Sequence, residues 1–370
     1  MSGPHGGPRR LFLVGYSGVH NVGDEAIRAA IIAAAPSFGA EVVHLASRDD
    51  ADPDPRAVPV HGLGLWRYAR AIGGCDRVVL GGGGILKDEG LRLPLELFAT
   101  ALAARLLRRD VTLVAVGVGP FYTPLGRWLV RVTARLARVR TVRDADSLEA
   151  LHGLGVRRVV LGADPTFSLS SEVSAGRAPA APASGTHGVI AVSLRRWYRG
   201  AADGDARQAA LRGAVAAALA GPIVEGRVAR LLSCYWPRDL DEMQRLAIDE
   251  RLGDAELIEH ELDWADLTGA VGDADLVVAM RYHAVAAAAM TGRPIVALAY
   301  EPKVRALAAE LGVPTVDVDL ADADLAAAIR SAVERALADP DSARPDPVAL
   351  AALRDRSALA LRLALGPPVV

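Results

Sequence analysis

Cysteine is scarce in this 370-residue chain, and neither sign of charge is in excess. The two cysteines, Cys75 and Cys234, are too few and too far apart for a disulfide framework or a zinc site, so we expect buried, unmodified thiols. The 42 basic and 44 acidic residues give a formal net charge of −2. Because a nucleic-acid binder depends on a basic face, this balance argues against a nucleic-acid partner.

Long hydrophobic runs are also missing. The first ten residues, MSGPHGGPRR, are polar, and we expect them to be disordered. The apolar run that follows, residues 11–14, is far too short for a signal-peptide core or a membrane span. No cluster of metal ligands is evident in the sequence. We therefore expect a cytoplasmic protein without a metal, and we leave open a contact with a membrane surface through its substrate.

The chain does contain a repeated succession of apolar strand, turn and helix. The first half has predicted strands at residues 11–14, 41–45, 77–80, 111–116, 141–142 and 159–161. The second half has them at residues 189–194, 229–233, 257–258, 276–280 and 294–299. Strands that alternate with helices indicate parallel βαβ units. The expected fold is therefore α/β, with two Rossmann-like, doubly wound domains around a central cleft.

Residues 171–188 mark the predicted domain boundary, because Ala, Pro, Ser and Gly dominate them without apolar periodicity. We assign residues 11–170 to the first domain and residues 189–345 to the second. The final segment, residues 346–370, is predicted to be a helix that returns to the first domain.

Polar residues follow three predicted strands of the second domain. Residues 276–280 lead into Arg281 and His283, the strand at 294–299 leads towards Lys303, and Arg195 follows the strand at 189–194. Arginine can bind a phosphate or carboxylate through two hydrogen bonds at once, and histidine is the side chain suited to proton transfer near neutral pH. Ligands bind at the carboxyl ends of strands in open α/β sheets. The pattern predicts an anion site with an acid or base attached.

The first domain has two glycine-rich loops. Residues 15–25 match neither a dinucleotide fingerprint nor a P-loop, and they carry Asn21 and Asp24. Both polar residues are candidates for holding hydroxyl groups, and helix capping is the alternative. Residues 81–84 are four glycines, of which Gly82 and Gly83 would let a ligand approach the backbone. Asp88 follows this loop, either facing the cleft or capping a helix.

Arg143 ends a short predicted strand and is followed by Asp144. One interpretation is a helix cap at Asp144 with Arg143 paired to it at the surface, an interaction worth little. The other is an anion-binding role for Arg143, because it also lies at a strand end.

Taken in order, these segments resemble the polysaccharide pyruvyl transferase family. The matching blocks are residues 15–25 and 81–88, GVGP, VRDADS, ADPTF, SLRRW, MRYHA and YEPK. The resemblance implies a fold similar to two-domain GT-B glycosyltransferases. It also implies transfer of the enolpyruvyl group of phosphoenolpyruvate to a sugar, which forms a pyruvate ketal on a cell-wall or exopolysaccharide precursor. Such acceptors are often lipid-linked.

The resemblance also implies roles for individual residues. Arg143, Arg281, His283 and Lys303 would hold the phosphoenolpyruvate donor. His283 would protonate its methylene carbon, and Asp24 or Asp88 would accept the proton of the sugar hydroxyl. The donor is a substrate, and no cofactor is expected.

Two other functions remain open from the sequence. One is a GT-B glycosyltransferase that uses a nucleotide sugar, although Glu301 and Glu310 are one residue off the usual spacing of the paired glutamates in retaining members. The other is a catalytically silent polysaccharide-sensing or scaffold protein. His283 beside two cations argues against a silent binder, which has no need of that trio.

Overall fold

The computed structural model describes residues 8–15, 18, 20–45, 57–58, 64–169, 188–198, 203–220, 226–250, 252 and 255–367. Most of the predicted disordered N-terminus and all but the last residue of the predicted linker lie outside these residues. The chain divides into two compact units. The first contains Met1–Val19, Gly23–Leu169 and Ala352–Val370, and the second contains His20–Val22 and Ser170–Ala351.

The first unit is built on a parallel seven-stranded sheet. Its strands are β1 (Arg9–Val14), β2 (Ala40–Leu45), β3 (Ala57–Val58), β4 (Arg77–Gly81), β5 (Asp110–Val116), β6 (Val139–Val142) and β7 (Val160–Leu161). Their order in the sheet is β3-β2-β1-β4-β5-β6-β7. The helices are α1 (Val22–Ala34), α2 (Gly64–Gly74), α3 (Arg92–Leu106), α4 (Pro124–Leu136) and α5 (Ala145–Gly153), with 3₁₀ turns at Ala35–Phe38 and Pro165–Ser168.

The second unit repeats this arrangement with six parallel strands. They are β8 (Gly188–Ser193), β9 (Arg227–Leu231), β10 (Glu256–Leu257), β11 (Leu276–Ala279), β12 (Ile295–Ala299) and β13 (Thr315–Asp317), ordered β10-β9-β8-β11-β12-β13. The helices are α6 (Gly204–Leu219), α7 (Leu240–Asp249), α8 (Trp264–Gly272), α9 (Tyr282–Met290), α10 (Pro302–Leu311) and α11 (Asp322–Ala338), followed by a 3₁₀ turn at Pro340–Ala343.

Both sheets have the Rossmann strand order, and the order reverses between β1 and β4 in the first and between β8 and β11 in the second. The prediction of two Rossmann-like, doubly wound α/β domains is confirmed. In such sheets the ligand site lies at the carboxyl ends of the strands, beside the point where the order reverses.

The strands are apolar on both faces because each sheet is covered on both sides. In β1, Phe12 and Val14 belong to one buried cluster and Leu11 and Leu13 to the other. Continuous apolar runs of this kind are typical of parallel sheets. This is why the sequence predicts the central strands within a residue or two. Two of the four edge strands, β3 and β13, were not predicted. They have two and three residues and pair on one side, as do the two-residue edge strands β7 and β10, which were predicted.

The last helix, α12 (Pro347–Leu365), packs on the first unit through its C-terminal half. Leu361, Ala364 and Leu365 join the cluster that contains Leu11 and Ile31. None of the helices in the described part of the chain has both the length and the apolar character that a bilayer span requires.

Two buried arginines bind the C-terminal end of α12. Arg9 donates to the carbonyls of Leu365 and Gly366, each at 2.8 Å, and Arg77 donates to those of Ala364 at 2.6 Å and Gly366 at 2.9 Å. Burial lowers the pKa of both guanidinium groups below the ordinary arginine value. Cations at a helix C-terminus complement the helix dipole and satisfy its last carbonyls.

Candidate functional site

Three predicted cations of the second unit follow adjacent strands. Arg195 lies after β8, Arg281 after β11 and Lys303 after β12, and these strands are neighbours in the parallel sheet. The carboxyl ends of parallel strands lie along one sheet edge, next to the point where strand order reverses. The structure therefore brings Arg195, Arg281 and Lys303 to the same edge.

Arg281 is held by Asp239, a residue that the sequence analysis missed. Its Nε donates to Asp239 Oδ2 at 2.8 Å and its Nη2 donates to Oδ1. Asp239 is 1% exposed and also accepts the backbone N–H of Tyr235 at 3.1 Å. Burial opposes the charged guanidinium, but the Asp239 carboxylate outweighs it, so the pKa of Arg281 lies above its ordinary value. The bidentate pair fixes the orientation of the guanidinium plane.

Glu301 joins the other two cations. Its Oε1 lies 3.4 Å from Arg195 Nη1, and its Oε2 lies 2.5 Å from Lys303 Nζ. Arg195 also donates to the Tyr300 hydroxyl at 3.0 Å and stacks on the Tyr300 ring at 4.8 Å from its centroid. With Asp239, Glu301 reduces the formal charge of the three cations to +1. The sequence signals for Glu301 were its place in the YEPK block and its spacing from Glu310, and neither predicted that it pairs with Arg195 and Lys303.

His283 is the second residue of α9, on the same strand-to-helix turn as Arg281. Its ring contacts Tyr282 and Trp264 edge to face, with centroids 5.1 Å and 6.4 Å apart. Its Nε2 atom is shielded from solvent. The two aromatic rings restrict the plane of the imidazole, which follows Arg281 by two residues at the N-terminus of α9.

In the first unit, the predicted ligand-binding glycines are required by the fold. Gly82 and Gly83 have φ values of +69° and +67°. A β-carbon at Gly82 would lie 1.9 Å from Ile27 Cγ2, and one at Gly83 would lie 2.9 Å from Asp24 Oδ1. These are left-handed conformations with helix α1 packed directly against them. Both glycines are explained by packing, without a ligand.

The two polar residues of the first loop fall in different units. Asp24 lies half-buried in the first turn of α1 and lines a small pocket of the first unit with Gly15 and Arg28. Asn21 forms an antiparallel bridge with Tyr235 and belongs to the second unit. Tyr16, Ser17 and Val19 of the same loop lie outside the described residues.

Asp88 has a structural role that its sequence position did not reveal. Its carboxylate accepts the backbone N–H groups of Tyr122 and Thr123 and the Thr123 hydroxyl, the last two at 2.7 and 2.8 Å. Burial opposes its ionisation, but these hydrogen bonds outweigh burial and hold the pKa of Asp88 below its usual range. A carboxylate with a low pKa and occupied oxygens is a poor proton acceptor. The expectation that Asp88 faces a cleft as a general base is therefore corrected.

Arg143 belongs to the first unit, whereas the other three residues that the resemblance assigned to the donor belong to the second. Its Nε lies 2.9 Å from Asp144 Oδ2, and Asp144 caps α5 by accepting the Ser147 N–H at 2.8 Å. Arg143 is buried at 8% exposed and Asp144 is partly buried, so the interpretation that they pair at the surface is wrong, while the Asp144 cap is present. A β-carbon at Gly117 would lie 2.8 Å from Arg143 Nη2, and one at Gly84 would lie 3.9 Å away. Arg143 thus adds a cation to the glycine-rich edge of the first sheet.

Comparison with known proteins adds a family and a fold. The sequence model of the family described as "Polysaccharide pyruvyl transferase" matches residues 21–302. No curated protein is significantly similar to the chain in sequence.

Three solved structures resemble the chain over nearly its whole length. UDP-GlcNAc 2-epimerase from Neisseria meningitidis, bound to UDP-GlcNAc, is 13% identical, with a TM-score of 0.63 and coverage of 96% of this chain and 99% of that one. The putative UDP-N-acetylglucosamine 2-epimerase from Listeria monocytogenes is 15% identical, with a TM-score of 0.61 and coverage of 95% and 90%. The Methanocaldococcus jannaschii UDP-GlcNAc 2-epimerase, in complex with UDP-GlcNAc and UDP, is 13% identical, with a TM-score of 0.59 and coverage of 97% and 100%. At these identities the likeness shows the fold alone, that of two-domain GT-B-like proteins.

Proposed function

Because the chain belongs to the polysaccharide pyruvyl transferase family, we propose that it transfers the enolpyruvyl group of phosphoenolpyruvate to sugar hydroxyls. The acceptor is a glycan or glycan precursor, and the products are a pyruvate ketal and phosphate. The proposed compartment is the cytoplasm, and a lipid-linked sugar is an acceptor compatible with the family.

The observation that carries this proposal is the group of Arg195, Arg281 and Lys303 after adjacent strands, with His283 two residues after Arg281 in the first turn of α9. Phosphoenolpyruvate has a carboxylate and a phosphate. The guanidinium group of arginine can bind such groups through two parallel hydrogen bonds, and the ammonium group of lysine adds a compact positive charge. When no anion is bound, the three cations repel one another, and the carboxylates of Asp239 and Glu301 offset that repulsion.

The two carboxylates play different parts in this scheme. The Asp239–Arg281 pair is bidentate, and the two side chains are 2% and 13% exposed, so the pair persists and directs the third guanidinium nitrogen towards the donor. Nη1 of Arg281 makes no hydrogen bond within the described part of the chain. Glu301 binds Arg195 at 3.4 Å and is partly exposed, so the donor displaces it from Arg195 and Lys303. Exposed pairs of this kind are weak.

The reaction follows from one proton donor and one acceptor. His283 protonates the methylene carbon of the donor, and C2 becomes an oxocarbenium-like centre. A sugar hydroxyl attacks C2 and gives its proton to a carboxylate, for which we propose Asp24 because both oxygens of Asp88 are occupied. The C2–O bond to phosphate then breaks, and phosphate leaves with the bonding electrons and takes up the proton that the carboxylate had accepted. A second hydroxyl attacks C2 and returns a proton to His283, which closes the ketal.

The test is phosphate release from phosphoenolpyruvate with a panel of glycan acceptors, compared with nucleotide release from nucleotide sugars. His283→Ala should lower turnover by about 10²–10⁴-fold with a smaller effect on donor affinity, and His283→Gln should be almost as poor. His152→Ala, which alters an exposed histidine on α5, is the control and should leave turnover unchanged.

Nucleotide release without phosphate release would instead establish a glycosyltransferase. Phosphate release at the wild-type rate in both His283 variants would support the proposed reaction but show that another group protonates the methylene carbon.

A further inference from the structure

Large hydrophobic side chains are exposed in one part of the first unit. Of the ten exposed large hydrophobic residues in the described part of the chain, seven lie between Leu95 and Trp128. They belong to α3, to α4 and to the residues adjoining these helices. A concentration of this kind on a polar-rimmed surface marks an interaction site rather than scattered surface residues.

Five of these side chains lie on α3 and α4, two helices that pack against each other, and we call them together the α3–α4 face. On α3, Leu95, Leu102 and Leu106 are 46%, 37% and 75% exposed, and their spacing of seven and four residues puts them on a single helical stripe. On α4, Leu125 and Trp128 are 47% and 50% exposed and three residues apart. Phe98 of α3 contacts Trp128, with ring centroids 5.7 Å apart, so the two helices share the surface.

The segment that carries this face is strongly basic. Residues 92–138 contain eight arginines and only two acidic residues, a formal charge of +6, whereas the rest of the chain carries −8. Arg127 and Arg131 lie exposed one turn apart on α4, flanking Trp128. Leucine and tryptophan flanked by arginine, on helices that cannot span a bilayer, are typical of surfaces that lie in a membrane interface.

We propose that the α3–α4 face docks the protein on an anionic lipid surface. The leucines and Trp128 enter the headgroup region, and the arginines bind the negatively charged headgroups. A second copy of the chain is a poorer occupant, because a two-fold interface would bring the same basic residues of both copies together. The docking does not depend on the chemistry of the active site.

Flotation of the full chain with vesicles tests this assignment. Binding is expected to vesicles of phosphatidylglycerol and phosphatidylcholine in equal amounts, to fall with added salt, and to be absent with phosphatidylcholine alone. Leu106→Ser and Trp128→Ser should each weaken binding about tenfold. Arg127→Gln and Arg131→Gln should each weaken it about fivefold.

Ile248→Ser is the matched apolar control, because Ile248 on α7 is 73% exposed and Leu106 is 75% exposed. Arg330→Gln, at an exposed position of α11, is the charge control. Both controls should bind like the wild type, and thermal unfolding should confirm that every variant is folded. Equal binding to the two kinds of vesicle, equal losses in the controls, or a dimer in sedimentation that Leu106→Ser dissociates would each overturn the proposal.

Discussion

Asp239 and Glu301 determine what the cations of the second unit can do. Removing a charge such as Arg281 from water is costly, and a buried arginine without a partner would destabilise the fold by several kcal/mol. Asp239 offsets this cost and leaves the guanidinium in one orientation. Glu301 does the same for Arg195 and Lys303, but more weakly, because it is more exposed.

Asp88 provides a test of the structural role assigned to it. Its folded pKa lies below the ordinary value of 3.8, so its ionised form stabilises the protein above that pH, and the stabilisation is lost as pH falls through the folded pKa. Asp88→Asn should lower the free energy of unfolding by about 1–3 kcal/mol at neutral pH. The difference in unfolding free energy between Asp88→Asn and the wild type should become smaller at acidic pH.

Urea unfolding at neutral and acidic pH measures both effects. Asp146→Asn, at an exposed position in the first turn of α5, is the control and should change little. A variant as stable as the wild type at neutral pH would show that the Asp88 hydrogen bonds are not needed.

Gln208 holds the backbone that carries Arg195. Its Oε1 accepts the Trp197 N–H at 2.8 Å, and its Nε2 donates to the Arg195 carbonyl at 3.1 Å. Nε2 also donates to Glu242 at 2.9 Å, and Gln208 itself is 2% exposed. The side-chain amide therefore binds this segment as a neighbouring strand would, which makes Gln208 a positioning residue for Arg195.

Gln208→Leu removes these hydrogen bonds at similar volume. Given the proposed function, the KM for phosphoenolpyruvate should rise about tenfold with a smaller change in kcat. The substitution displaces Arg195, which contacts phosphoenolpyruvate, and leaves the proton-donating His283 in place. Gln244→Leu, at a half-buried position on α7, should leave both constants unchanged. A fall in kcat with an unchanged KM would contradict a role through Arg195.

At the scale of elements, the loop after β4 depends on close packing against α1. Gly39 offers a matched comparison, because its φ of +64° resembles the +69° of Gly82 but a β-carbon there meets nothing within 4 Å. Gly39→Ala should cost about 1–2 kcal/mol of stability from backbone strain alone. Gly82→Ala should cost about 1–3 kcal/mol more, because its methyl group would overlap Ile27.

Denaturant unfolding measures the difference between the two variants. Adding Ile27→Ala to Gly82→Ala should recover part of the extra cost, since the clash is with that side chain. Equal destabilisation by Gly39→Ala and Gly82→Ala would show that α1 moves away without penalty.

At the scale of the whole molecule, α12 connects distant parts of the sequence. It follows the last elements of the second unit in sequence, yet Leu361 is 2% exposed in the core of the first unit. Leu361→Ala should therefore cost about 2–5 kcal/mol. Hydrogen exchange should show reduced protection in β1 and β4 and unchanged protection in β8 and β11. Leu320→Ala, which alters a 40% exposed residue of the second unit, is the control, and an equal loss of protection in both sheets would contradict the prediction.

The two sheets, and the edge at which the second-unit cations meet, were predictable from the amino-acid sequence alone. Apolar strand runs and polar turns are local signals, and parallel pairing puts all strand ends of one sheet on the same side. Arg195, Arg281 and Lys303 could therefore be placed together from their positions after β8, β11 and β12.

The partner of each charged group became visible only in the folded chain. Asp239 and Arg281 are 42 residues apart, Asp88 binds amides more than 30 residues away, and Arg9 binds carbonyls at the opposite end of the chain. No periodicity or spacing encodes such pairs, because they form only when packing brings distant segments together. For the same reason, the sequence could not tell that Asp88 is committed to structure while Asp24 lines a pocket.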